Sequence, residues 1–505
     1  MAEALRLAAV DLGAESGRVM LGRFDGRTVS LDVCHRFANQ PLWLPDGLHW
    51  NLPGLFAQTL HGLGVAAEGG PLDGIGIDAW GCDYGLLDGD RRLLGLPFSY
   101  RDERTSVPNM ERAHARVGRD ELYARTGIQT IPINTVYQLA TEAGGARAGG
   151  IRIAEHVALV PDLLGLWLTG TLANELTIAS TTGLLEARGR RWATDLVARL
   201  GLPTAPFGGE VVAPGFELGP VLQGHRGDAG DAVGAAVRAV GGHDTASAFA
   251  AAPVTGTGAA VLSSGTWSLL GVELPEPELG PDAAAFNLTN ERGVCDSVRL
   301  LRNVMGLWLV QECRRVWREQ GSDRGYDELQ ALAARAPADV AVFDPDHDSL
   351  LHGGDMPARI TALCTDSGQA APTGDGEVLR SILVSLACKY RMVCEQLEHV
   401  CERAIDTIHV VGGGARNELL CQLTADVCGR EVVTGPVEAT ALGNLLVQAM
   451  ALGELDGLDD VRRVVARSVA PRRFTPQPSA SGNEVYPRFL EATGLSAMRA
   501  VRAPV

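Results

Sequence analysis

Apolar positions near the start of the chain follow a period of two. Leu7 to Asp11 reads as an apolar strand and Ala14-Glu15-Ser16-Gly17 as a turn. Val19 and Leu21 alternate with other residues, Asp25-Gly26 offers a second turn, and Val29, Leu31 and Val33 alternate again. The pattern then lengthens to a helical period around Leu55 to Glu68, followed by a buried-type strand over Gly74 to Asp78. Leu163 to Leu168 reads as a helix stopped near Gly170.

The stretch from Ala213 to Val240 is rich in Gly and Pro and poor in periodicity, so a lobe boundary is placed just after it. The theme then repeats. Ala259 to Ser263 is a strand, Ser264-Gly265-Thr266 a turn, and Trp267 to Val272 another strand. A long helix is expected after Asn303. Ile408 to Val411 is a strand running into Gly412-Gly413-Gly414, and Glu418 to Val427 reads as a helix. Strands that open on tight turns suit α/β lobes of the actin-like, ribonuclease-H-like kind, with a cleft between two of them. A Rossmann unit would enter a helix after its first strand. The expected division is 1–245 and 246–455 for the two lobes, with 456–505 packing back onto the first.

Composition narrows the chemistry. At 505 residues the chain exceeds one ordinary core. The net charge of −17 argues against a nucleic-acid partner, which needs a basic field. It leaves room for a nucleotide held by backbone N–H groups and a metal ion. Lys389 is the only lysine and stands in Ala-Cys-Lys-Tyr, so there is no Gly-Lys-Ser/Thr phosphate loop. The ten cysteines form no CxxC pair, so buried thiols are expected rather than a zinc site. The N-terminus lacks the pattern of a signal peptide, and no apolar run nears the roughly 20 residues that span a bilayer. A cytoplasmic enzyme without a membrane partner is therefore expected.

Several short motifs carry candidate chemistry. Asp11 ends a strand before a glycine-bearing turn. It is either a Mg²⁺ ligand acting through water or the turn-stabilising Asp of a hairpin. Arg18 offers a bidentate fork to phosphate. Asp244, in Gly241-Gly242-His243-Asp244-Thr245, is either a general base for a sugar hydroxyl or a helix cap. His243 is a hydrogen-bonding partner for the sugar or a local contact. Thr266 sits on a second small turn, a phosphate cradle or a plain hairpin. The three glycines from Gly412 allow close approach of a nucleotide, or simply a strand-to-helix turn. If Asn303 begins a helix, it shares a face with Gln311 about 12 Å away. The two are then ligands, or a cap and a solvated glutamine.

The order of these motifs is more telling than any one of them. The first turn is followed by Gly76-Ile-Asp-Ala-Trp80-Gly81-Cys-Asp83, then Gly242-His243-Asp244-Thr245, Ser264-Gly265-Thr266-Trp267 and the triple glycine. This succession resembles the FGGY family of carbohydrate kinases, within the actin/Hsp70/hexokinase-like superfamily. Gly95-Leu-Pro-Phe-Ser-Tyr-Arg-Asp102, Leu122 to Gln129, Asn287-Leu-Thr-Asn290, Arg302 to Leu309 and Gly435 to Asn444 extend the resemblance to most of the chain. They are most similar to the branch that phosphorylates L-rhamnulose at its 1-hydroxyl.

The resemblance implies MgATP as phosphoryl donor, Asp244 as base, and Gly81, His243, Thr245 and Asn303 at the sugar. It implies that Ala14, Glu15, Ser16, Gly17, Arg18, Thr266, Gln311 and Gly413 hold ATP, with Asp11 at the metal. A monomer or homodimer is expected. Members of that branch often carry serine where Glu15 stands, and a carboxylate beside polyphosphate is unfavourable unless it points away or helps the metal.

Overall fold

The opening alternation forms three antiparallel strands: β1 (Leu5–Leu12), β2 (Ser16–Phe24) and β3 (Val29–Ala38). The turn between β2 and β3 is held by Asp25, whose Oδ1 accepts from the N–H groups of Arg27 at 2.8 Å and Thr28 at 2.6 Å. Asn51 starts α1 (Leu52–Ala67), its Oδ1 accepting from Gly54 N–H at 3.2 Å, with proline in the first turn. The structure, a computed structural model, describes residues 4–145, 148–477 and 480–496.

Strand β4 (Gly74–Ala79) lies parallel to β1. Helix α2 (Val160–Thr169) ends on Gly170 at φ 77°, the left-handed stop that glycine supplies most cheaply. A single helical turn, α3 (Leu176–Ala179), comes next. The Gly/Pro-rich stretch then contributes β5 (Glu217–Pro220) and β6 (Ala236–His243). The first sheet has the order β5-β6-β4-β1-β2-β3.

Helix α4 (Asp244–Ala250) leads into the second lobe. Its strands are β7 (Ala259–Ser264), β8 (Trp267–Leu274), β9 (Thr289–Arg292) and β10 (Val298–Met305). Helices α5 (Trp308–Glu319) and α6 (Gly374–Cys401) cover the sheet before β11 (Thr407–Val411), α7 (Glu418–Cys428), β12 (Glu431–Thr434) and α8 (Ala439–Ala451). Here the order is β9-β10-β8-β7-β11-β12, with one further strand at the β12 edge. The run β3-β2-β1-β4-β6 in the first sheet and β10-β8-β7-β11-β12 in the second are the same topology. The repeated opening of the sequence is thus a duplicated lobe.

The sequence places the chain after 455 against the first lobe; the structure divides it. Helix α9 (Leu458–Ser468) lies beside β3, and Ser468 Oγ accepts from Val29 N–H at 3.0 Å. Beyond it, β13 (Arg473–Phe474) pairs with β12. Helix α10 (Ala480–Thr493) turns Val485, Tyr486 and Phe489 onto Val384, Cys388 and Met392 of α6 and Val427 of α7. The apolar faces left bare by α6 and α7 draw this last stretch to the second lobe.

Between the lobes, α4 and α8 share one apolar core with both sheets. Leu7, Ala9 and Met20 of the first sheet meet Val261, Leu269 and Val411 of the second through Phe249, Leu442 and Leu445.

Candidate active site

A cavity of about 320 Å³ opens between the lobes. Its walls are the C-terminal ends of β1, β4 and β6 on one side and the β7–β8 turn on the other, the usual place for ligands in parallel sheets. Asp11, Ala14, Glu15, Ser16, Arg18, Gly81, His243, Asp244, Thr245, Thr266, Asn303, Gln311 and Gly413 all line it. Residues far apart in the chain thus converge on one space.

Gly17 is the exception. It is buried within β2, opposite Leu12 and Phe37, and a Cβ there would collide with the Phe37 ring. Packing alone requires glycine at this position. Asn303 also differs from expectation. It lies inside β10, opposite Leu269 of β8, and does not begin a helix. Gln311 alone belongs to the helix, in the first turn of α5.

At one end of the cavity both turns line the wall. Gly13 N–H donates to Ser16 O at 3.0 Å and closes the first turn. Gly265 N–H donates to Trp267 O at 2.8 Å in the second, and Gln311 Nε2 reaches Thr266 Oγ1 at 3.5 Å. The glycine run after β11 lies against that second turn. A Cβ on Gly414 would collide with Ser264 Oγ, whereas one on Gly413 would meet open space.

Arg18 bridges Asp11, at 3.2 Å from its Nε, and Glu438. Burial pushes the Asp11 carboxyl up, Arg18 pulls it back, and Asp244 and Glu438 raise it again, leaving it at about 6. Its neighbour Asp78, opposite it in register, is fully buried. Burial and the nearby Asp11 hold Asp78 well above the carboxylate range, while Asn444 of α8 donates to its Oδ2 at 2.6 Å.

A second cavity of about 630 Å³ continues from Ser16, Arg18, Gly265, Gln311 and Gly413 toward Tyr326, Leu329, Leu379, Leu383 and Asn417. It is polar where it meets the turns and apolar beyond them. Glu15 is exposed between the lobes, and loss of surrounding water raises its carboxyl while Arg101 lowers it.

On the other side, Trp80 forms the floor. Its Nε1–H and that of Trp50 both donate to Asp83 Oδ2, at 2.9 and 2.5 Å. His243 is the last residue of β6, and Asp244 opens α4, where the helix dipole favours a negative group. Asp244 Oδ1 accepts from Thr245 N–H at 2.6 Å and lies 3.4 Å from His243 Nε2. Asn303 Nδ2 donates to Gln129 Oε1 at 3.2 Å and to Glu291 Oε1 at 3.5 Å. The side chain of Asp244 remains 30% exposed, so its carboxylate is available to a ligand.

The sequence reading missed Asp78, Glu291, Arg299 and Glu438. Asp78 and Glu438 stood inside quoted motifs without a role. Glu291 follows Asn287-Leu-Thr-Asn290 directly, and nothing local marks it.

Comparisons with known proteins agree with this geometry. Residues 9–250 match a family model described as the N-terminal domain of the FGGY family of carbohydrate kinases, and residues 260–452 match its C-terminal domain. The chain is 39% identical over 483 residues to rhamnulokinase from Bacteroides thetaiotaomicron, covering 95% of this chain and 98% of that one. It is 42% identical over 481 residues to rhamnulokinase from Klebsiella pneumoniae subsp. pneumoniae, covering 94% and 95%. Gluconate kinase from Lactobacillus acidophilus matches with a TM-score of 0.77 at 16% identity over 97% of each chain. Plasmodium falciparum glycerol kinase with ADP gives 0.76 at 14% identity, over 98% of this chain and 99% of that one. These structures share the fold.

Proposed function

The chain belongs to the FGGY family of carbohydrate kinases, and from that premise we propose that it transfers the γ-phosphoryl group of ATP to the 1-hydroxyl of L-rhamnulose. The products are L-rhamnulose 1-phosphate and ADP. The observation that carries the substrate is identity of 39% and 42%, over nearly the whole chain, to kinases named for rhamnulose. The glycerol and gluconate kinase structures stand at 14% and 16%. Among the described residues no helix is long and apolar enough to cross a membrane.

The sugar lies on Trp80 and Gly81, with His243, Thr245 and Asn303 around its hydroxyls. Asp244 accepts the proton of the reacting hydroxyl as the phosphoryl group moves. The turns at Ala14–Ser16 and Thr266, with Arg18, Gln311 and Gly413, hold the polyphosphate. The nucleoside takes the second cavity, whose apolar far wall suits a base.

Asp11 supplies a buried oxygen donor beside the first turn, where Arg18 favours its charged form against the cost of burial. Among the described residues no group of three His, Cys, Asp or Glu is placed to hold a metal alone. Asp11 would hold a hard cation such as Mg²⁺ through its carboxylate, with water and phosphate supplying the other oxygens. When bound, Mg²⁺ offsets the charge of the phosphates.

ADP release from MgATP in a coupled assay tests the reading, with L-rhamnulose, L-fuculose, L-ribulose, D-xylulose, glycerol or no sugar. Strong stimulation by L-rhamnulose alone is expected. Stimulation by another ketose replaces the substrate and keeps the mechanism. Slow release indifferent to every sugar removes the kinase assignment in favour of an ATP-binding switch.

A further inference from the structure

Behind the sugar side of the cavity, β9 and β10 set Glu291 opposite Arg299 in register. The Arg299 side chain is fully buried and that of Glu291 is 5% exposed. Their closest atoms, Arg299 Nη2 and Glu291 Oε2, are 3.2 Å apart. Burial opposes ionisation of Glu291, but the Arg299 guanidinium outweighs it and holds the carboxyl below its ordinary range. The two side chains therefore face each other as an ion pair.

His243 Nδ1 sits 3.1 Å from Glu291 Oε2 and 3.2 Å from Arg299 Nη2. One ring nitrogen cannot donate to the carboxylate and accept from the guanidinium at once. The angles decide between them. Arg299 Nη2 meets Nδ1 with hydrogen-bonding geometry, and its second hydrogen goes to Arg292 O at 3.0 Å. Glu291 Oε2 makes no aligned hydrogen bond, so its contacts are electrostatic. Because a guanidinium only donates, a hydrogen bond from Arg299 requires Nδ1 to be the acceptor, which places the proton of a neutral ring on Nε2. Nε2 is the nitrogen turned toward Asp244 Oδ1, at 3.4 Å.

We propose that Arg299, held by Glu291, is a positioning residue that fixes the proton of His243 on Nε2 and so makes His243 a hydrogen-bond donor to a sugar oxygen beside Asp244. This rests on the reading of His243 and Asp244 as sugar-side groups. The chemical advantage is direct. A lone pair on Nε2 would compete with Asp244 for the hydroxyl proton. A donor there occupies the hydroxyl oxygen instead and turns its proton toward Asp244.

The tautomer is read by ¹⁵N NMR of the histidine-labelled full chain without sugar, with His243 assigned by its absence in His243→Asn. A neutral ring protonated on Nε2 is expected; a proton on Nδ1, in a neutral or charged ring, overturns the proposal. Kinetics supply the second arm. The double variant Glu291→Gln/Arg299→Met removes both charges and leaves no buried charge unpaired. It should raise the sugar KM about tenfold, the size of one lost hydrogen bond, and leave the ATP KM unchanged. Unchanged sugar KM with an unchanged tautomer makes the pair purely structural and overturns the proposal. The tautomer needs no substrate, so its failure is distinct from failure of the L-rhamnulose reading, which the sugar panel reports.

Discussion

Asp244 opens α4 and turns its carboxylate to the cavity. Its Oδ1 accepts from the adjacent Thr245 N–H at 2.6 Å without capping the helix, and the side chain lines the cavity. The proposed base role is tested by Asp244→Asn, which keeps an oxygen acceptor and removes the basicity. We expect kcat to fall by about 10²–10⁴, the usual worth of a general base, with ATP affinity unchanged. An unaltered kcat would remove Asp244 as the base. Arg18 is the complementary case. It neutralises Asp11 and Glu438 from one position, and its removal turns two carboxylates toward polyphosphate. Arg18→Ala should raise the ATP KM much more than the sugar KM. Equal increases in steady-state kinetics would take Arg18 out of the phosphate site.

At the scale of elements, the single turn α3 matters because of how it is capped. Glu175 accepts from Thr177 N–H at 2.8 Å and Ile178 N–H at 3.0 Å, and also from Gly242 N–H at 3.0 Å, just before His243. Burial raises its pKa to about 7 against these donors. The folded value thus lies above the unfolded one of 4.5, so the folded chain binds the proton more tightly. Stability from this group is complete below about pH 4.5 and is lost as pH rises through about 7, by ~3 kcal/mol in all. Glu175→Gln cannot titrate, so its urea-unfolding penalty relative to wild type should shrink between about pH 5 and pH 8.5. A penalty equal at both would show that Glu175 does not titrate in this range. Elements such as β1–β3, β7–β8 and the triple-glycine turn were legible because period two and turn residues are local signals. Asn303 was misread as a helix start because a polar residue before an apolar helix imitates a cap. Its place in β10 is decided by pairing with β8, which no local window contains. The Glu291–Arg299 pair was illegible for the same reason, since two charged residues look solvated until β9 and β10 are brought into register.

At the scale of the whole molecule, the lobes are joined by close helix contact and by a clasp across the cleft. A Cβ on Gly443 of α8 would collide with the Ser247 carbonyl of α4, so the two helices cross almost backbone to backbone. Asn444 and Gln448 tie α8 to the first sheet through Asp78 Oδ2 and the Ala8 carbonyl. Across the cavity the first lobe reaches the second through Tyr100 and Arg101. Trp267 Nε1–H donates to the Tyr100 hydroxyl at 3.3 Å, and Arg101 Nη1 donates to Leu351 O at 3.2 Å. The Arg101 guanidinium lies 3.4 Å over the Trp308 ring, a cation–π contact that grows stronger as water leaves. Tyr100 and Trp267 both line the cavity, so the clasp forms part of its wall. Exclusion of water protects a phosphoryl donor from hydrolysis. Arg101→Ala leaves the phosphate turns and Asp244 in place and loosens that wall. Sugar-free ADP release should rise several-fold relative to sugar phosphate formed, as measured by both products in parallel. If both rates fall together at constant ratio, the clasp contributes to folding or lobe stability and water is excluded by the sugar itself.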